Sequence, residues 1–119
     1  MQRVLGVGGI FFKCQNPEKM REWYAQYLGF PTDEYGATFN QQGMVVWSPF
    51  KETTTYFAPS TREFMINLRV VDIEGLVAEL KEKGVTVLNE IETFDFGKFV
   101  HILDIEGNKL ELWEVPEEK

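Results

Sequence analysis

The strongest constraint in this sequence is that it repeats. Asn16 and Asp72 each precede an amphipathic stretch and lie 56 residues apart, while the glycines that follow those stretches, Gly29 and Gly84, lie 55 apart. In 119 residues such a period leaves room for two copies of one supersecondary unit, which predicts a pseudo-symmetric domain and not a solenoid. In the first copy Asn16 is a helix cap, Pro17 sits at the first helical position, and Met20, Trp23, Tyr24, Tyr27 and Leu28 step by three and four along one face. In the second, Asp72 is the cap and Ile73, Leu76, Val77 and Leu80 fall at i, i+3, i+4 and i+7. Each glycine then stops its helix.

Strand-like segments flank both helices. Residues 5–14, LGVGGIFFKC, precede the first, and ATFNQ and MVVWS follow it as an expected hairpin around Gln41, Gln42 and Gly43. FMINLRV precedes the second helix, and VTVLNEI, GKFVHIL and KLELWEV follow it. Residues 49–63, with two prolines and several threonines around Tyr56 and Phe57, read as a connection. The plan is strand, helix and three strands, twice. No linker divides the halves, so one α+β domain is expected over residues 1–119, with module 1 at about 1–62 and module 2 at about 63–119.

Composition narrows the function classes. With 44% hydrophobic and 14% aromatic residues the chain can build a core, and its net charge of −7 argues against nucleic acid. A single cysteine, Cys14, makes neither an internal disulfide nor a thiolate metal cluster, and is expected to face the first helix as a small hydrophobe. No membrane span or leader pattern is visible, which predicts a cytoplasmic protein.

The turn at Asp104, Ile105, Glu106 and Gly107 fixes a register. With Gly107 in the left-handed position, Asp104 pairs with Asn108, His101 stands opposite Glu111, and Phe99 stands opposite Trp113. Val100, Ile102, Leu110 and Leu112 then make an apolar face for the helix, together with Ile66, Leu68 and Val70. The opposite face carries Phe99, His101, Lys109, Glu111 and Trp113, with Asn67 and Arg69 beside them. The same alternation in the first half puts Phe11 and Lys13 on that side. This mixture of aromatic and ionisable groups suits a ligand wall better than a core.

From NPEKMREWYAQYLGF, VVDIEGLVAELKEKGV and above all FVHILDIEGNKLELWE, the chain resembles the glyoxalase, bleomycin-resistance and extradiol-dioxygenase superfamily, the vicinal oxygen chelate fold. The last segment is close to the family's strand, DPxGN turn and Glu-bearing strand, with Ile105 where proline is usual. The resemblance implies two βαβββ modules forming a cup-shaped mixed β-sheet with helices on the outer face, commonly as a homodimer. It also implies four strand positions that hold a divalent ion in metal-dependent members. Here those positions carry Gly9, Trp47, Met65 and Glu111. Only Glu111 suits such an ion, and His101 is the one other donor beside it, so no metal or other cofactor is expected.

The expected function is therefore binding of a small organic ligand in the cup. Phe11, Trp47, Phe99 and Trp113 would provide stacking area, while Lys13, Asn67, Arg69, His101 and Glu111 would orient the ligand. The alternative is a glyoxalase-like lyase or isomerase, with or without a divalent metal at Glu111 and His101, in which Glu111 is the general base, its pKa raised by aromatic neighbours, and His101 the proton shuttle. A third possibility is a dimerisation module without a small ligand. The acidic residues Glu114, Glu117 and Glu118 read as a solvated end.

Overall fold

The computed structural model describes residues 9–116, which fall into two compact units, one ending at Thr54 and the other beginning at Thr55. The fold is α+β. No helix among the described residues is long and apolar enough to cross a membrane.

In the first unit, α1 spans Pro17–Leu28. Its start is the expected one: the Asn16 side chain accepts from the Lys19 backbone N–H at 3.0 Å, and Pro17 occupies the first turn, where a missing N–H costs nothing. Gly29 ends the helix at φ 69°, and its N–H donates to the carbonyl of Ala25. Met20, Trp23 and Tyr24 are the buried stripe. A ring contact at 4.9 Å joins Tyr24 to Phe30, and another at 5.1 Å joins Phe30 to Phe39.

The strands expected in this half do not form among the described residues. Residues 9–14 lie outside any ladder, and residues 5–8 of that segment are outside the described range. The hairpin expected around Gln41–Gly43 does not form; the chain reverses upstream of it instead, at an isolated bridge between Thr32 and Ala37 closed by the Asp33 carboxylate, which accepts from the N–H groups of Tyr35 and Gly36. Met44, Val45, Val46 and Trp47 are 54–79% exposed. Their apolar run needs cover on both faces to persist as a strand, and within this unit the cover is missing.

The second unit contains the complete strand, helix and three-strand module. Its elements are β1 (Ile66–Arg69), α2 (Ile73–Glu82), β2 (Glu92–Phe94), β3 (Gly97–Leu103) and β4 (Lys109–Glu114), with sheet order β1-β4-β3-β2. β1 runs parallel to β4, while β4 with β3 and β3 with β2 are antiparallel. Val100, Ile102, Leu110 and Leu112 are wholly buried, and α2 packs Ile73, Val77 and Leu80 into the same core. The alternation of β3 and β4 is thus resolved as expected, with the all-apolar face under the helix.

Two details of this unit depart from expectation. Glu114 is not a solvated terminal charge: its Oε1 accepts from the Ile73 N–H at 2.8 Å, so the last strand caps the start of α2 alongside Asp72. Residues 85–91 do not make a continuous strand either. They pair with β3 only around Val87, where Leu88 N–H donates to the His101 carbonyl and Leu103 N–H donates to the Thr86 carbonyl. Pairing resumes at Glu92 opposite Phe99, after five residue steps on the outer segment against three on β3. The surplus is a bulge at Asn89–Ile91.

Candidate functional site

The turn between β3 and β4 sets the register of these two strands on the site face. Gly107 takes φ 80°, its N–H donates to the Asp104 carbonyl, and Asp104 N–H donates to the Asn108 carbonyl at 2.9 Å. The Asp104 carboxylate holds the turn further by accepting from the backbone N–H groups of Glu106 and Asn108 and from the Asn108 side-chain amide. The register that follows is the expected one, with His101 opposite Glu111 and Phe99 opposite Trp113. β1 completes two rows across the sheet: Asn67, Glu111 and His101 in one, and Arg69, Trp113 and Phe99 in the next. Residues two apart on a strand are separated by roughly 6–7 Å, so the polar and aromatic rows are neighbours.

Glu111 is the centre of the polar row. Its Oε1 accepts from the Asn67 amide at 2.8 Å, and its Oε2 accepts from the Tyr56 hydroxyl at 2.6 Å and lies 2.8 Å from His101 Nε2. Partial burial pushes the carboxyl upward, but the hydrogen bonds from His101, Tyr56 and Asn67 outweigh it and bring the pKa below the ordinary value. This corrects the expectation of a raised Glu111. Its neighbours are donors first and aromatic surface second. Tyr56 is shifted upward by burial, and further by its hydrogen bond to Glu111 and the charge there, so the phenol keeps its proton and donates it.

Tyr56 is held by Lys109. The ammonium donates to the Tyr56 carbonyl and sits 4.9 Å from the centre of its ring. Burial lowers the Lys109 pKa, with the charge of Glu111 partly offsetting it. The Tyr56 ring also meets the His101 ring edge to face at 5.5 Å. The connection at 49–63 therefore delivers a site residue to the sheet. The only sequence sign of it was an aromatic with a polar tip inside a Pro- and Thr-rich stretch.

The aromatic row extends beyond the two expected rings. Phe99 and Trp113 stack at 5.7 Å with planes 9° apart, and Phe94 and Phe96 stack at 5.3 Å with planes 4° apart. Edge contacts of 5.5 Å from Phe96 and 6.1 Å from Phe94 join the second pair to Phe99. The Trp113 indole N–H donates to the Phe96 carbonyl at 2.9 Å, which ties the β2–β3 turn to β4. Gly97 makes this approach possible. It adopts φ 133°, and a Cβ there would lie 2.5 Å from both Trp113 Nε1 and the Glu114 carbonyl oxygen.

The second unit thus brings together six residues expected at the site: Asn67, Arg69, Phe99, His101, Glu111 and Trp113. Arg69 is exposed at the edge of the aromatic row. Phe11, Lys13 and Trp47 belong to the first unit, where Phe11 is 95% and Trp47 79% exposed. Two further residues join the site: Tyr56, which the sequence leaves ambiguous between stacking and packing, and Asn89. Asn89 had no signal at all, since a bulge depends on pairing with a distant strand.

A family model described as the Glyoxalase/Bleomycin resistance protein/Dioxygenase superfamily matches residues 8–112. The chain belongs to that superfamily.

Among solved structures, TnmS3, an antibiotic binding protein from Streptomyces sp. CB03234, is 19% identical, with a TM-score of 0.65 over 98% of this chain and 100% of its own. A superfamily member from Sphaerobacter thermophilus DSM 20745 is 22% identical, with a TM-score of 0.54 over 85% of this chain and 90% of that one. TioX from Micromonospora sp. ML1 is 13% identical, with a TM-score of 0.50 over 87% and 90%. At these identities the likeness is one of fold. No curated protein matches the chain.

Membership of the glyoxalase/bleomycin-resistance superfamily raises the question of a divalent ion, and the residues present do not fit one. Among the described residues no three His, Cys, Asp or Glu side chains come together. Both oxygens of Glu111 already accept hydrogen bonds, and Met65 brings a thioether, a soft donor that hard and borderline divalent ions avoid.

Proposed function

We propose that the sheet face of the second unit binds a small, flat organic molecule without a metal. The aromatic row would take the ring system by stacking, and the polar row would orient it by hydrogen bonds. The observation that carries this is the register itself: Asn67, Glu111 and His101 lie beside Arg69, Trp113 and Phe99 on one face, while Val100, Ile102, Leu110 and Leu112, the wholly buried aliphatic residues of β3 and β4, lie on the other. Ionisable groups of this kind are poor core material, and a half-buried carboxylate with three donors is an oriented anchor. The shared fold with TnmS3, itself an antibiotic binding protein, supports a ligand-binding role.

The competing reading, a lyase or isomerase with Glu111 as general base, is weakened by the same network. A carboxylate whose pKa is pulled down by three donors is a poorer base for a proton on carbon. A homodimer is part of the proposal, because Phe11, Met44, Val46 and Trp47 expose apolar surface that a second copy would cover. Sedimentation equilibrium tests that part, and a monomer at all concentrations would count against it.

The test of binding is a screen of flat aromatic compounds at pH 7 read by tryptophan fluorescence, with Trp113→Phe to assign the signal among Trp23, Trp47 and Trp113. Saturable quenching is expected, with affinity falling about 2- to 12-fold in Phe99→Ala as one stacking partner is lost. A screen with no saturable binder, beside a structure with side chains of this chain filling the face, would reject the proposal.

A further inference from the structure

The bulge at Asn89–Ile91 removes a backbone acceptor where β3 needs one, and a side chain takes its place. His101 N–H donates to Asn89 Oδ1 at 2.8 Å. That bond decides which way the Asn89 amide points. Its NH2 group then lies 3.1 Å from His101 Nδ1 and 3.5 Å from Glu92 Oε1, an acceptor that also favours this orientation. With an amide donor against it, Nδ1 has to offer a lone pair. The imidazole hydrogen is left on Nε2, where it faces Glu111 Oε2 at 2.8 Å.

We infer that Asn89 is a positioning residue that holds His101 as its Nε2–H tautomer, so that the ring serves as a fixed donor to Glu111. His101 then has no nitrogen free to take a proton from a ligand. Nε2 is committed as a donor to the carboxylate, and Nδ1 is covered by the Asn89 amide. The groups facing the ring are Tyr56 and Glu111 at Nε2 and Asn89 at Nδ1, with Glu92 behind Asn89. The meaning of this for a ligand rests on the binding proposal above, whereas the tautomer itself does not.

His101 is the only histidine in the chain, so a two-bond 15N–1H spectrum of the labelled protein reports it without assignment work. At about pH 8, above the ordinary histidine range, the wild type is expected to show a pyrrole-type Nε2 and a pyridine-type Nδ1. Asn89→Asp keeps an oxygen for the His101 N–H but sets a carboxylate oxygen against Nδ1, next to Glu92. Nδ1 is then expected to move into the protonated range, while backbone amide dispersion shows that the fold persists. A structural role alone would leave the ring nitrogens unchanged. A wild type with the hydrogen on Nδ1 or an even mixture, or an Asn89→Asp protein whose Nδ1 stays pyridine-type, would overturn the inference. The wild-type spectrum needs no substitution, so it decides the tautomer even if the variant fails to fold. A failed ligand screen would leave these spectra unaffected, which separates the two proposals.

Discussion

His101 Nε2 and Glu111 Oε2 lie 2.8 Å apart as direct partners across the antiparallel β3–β4 pair. A contact set by a strand register is preorganised by the whole ladder and needs no mobile loop to form. The polar row is therefore part of the fold's stability as well as its candidate chemistry, and the two can be measured separately.

Glu111 makes stability depend on pH with a definite sign. Burial favours the neutral acid, but the donors from His101, Tyr56 and Asn67 win, and the folded pKa lies below the ordinary value of 4.5. Its contribution is then complete above about pH 4.5 and is lost as pH falls through the lowered folded value. Glu111→Gln should cost about 1–3 kcal/mol at pH 7, and its deficit against wild type should shrink on acidification. Urea titrations at pH 7 and pH 3 measure this, and a constant deficit would contradict it.

Gly97→Ala should be far more damaging than its size suggests. Its φ of 133° is left to glycine, and the new Cβ would meet the Trp113 indole and the Glu114 carbonyl. A loss of about 1–3 kcal/mol is expected, with displacement of Trp113 visible as a shift in near-ultraviolet circular dichroism. An unchanged spectrum and unchanged urea midpoint would show that the β2–β3 turn yields without strain.

The apolar face of the sheet should carry most of the second unit's stability. Leu110 is wholly buried, so Leu110→Ala should cost about 2–5 kcal/mol. Val71, exposed between β1 and α2, should tolerate alanine within about 0.5 kcal/mol. Equal losses at the two positions, read from chemical denaturation with constant m, would mean that the core is not where the fold places it.

The metal question has a direct answer in solution. Titration calorimetry with nickel, zinc and manganese ions, and elemental analysis after dialysis, should find no stoichiometric uptake, because the donors near Glu111 are too few and already engaged. Near-equimolar metal that disappears in Glu111→Ala or His101→Ala would reverse this and reopen the enzyme reading.

Both helices were legible in the sequence because their signals are local. Asn16, Pro17 and Gly29 mark the ends of α1 within one turn of chain, and the stripe of α2 needs only its own ten residues. The pairing of His101 with Glu111 was legible for the same reason, since a short turn with Gly107 in the left-handed region leaves one register. The strands of the first half were not legible in this way. MVVWS has strand-like composition, but a strand exists only with a partner, and composition does not name one.

The residues around the carboxylate divide along the same line. Sequence alone determined that Glu111, His101, Asn67, Phe99 and Trp113 share a face, because alternation and one tight turn are short-range geometry. Tertiary structure decided that Tyr56 crosses from a loop 55 residues away to bind Glu111, that Asn89 fills a gap in a bulged ladder, and that Glu114 caps α2. It also decided the direction of the Glu111 shift. Whether a carboxylate is raised or lowered depends on how burial balances against the donors that reach it. Those donors come from residues far apart in the chain, and only folding brings them within hydrogen-bond distance.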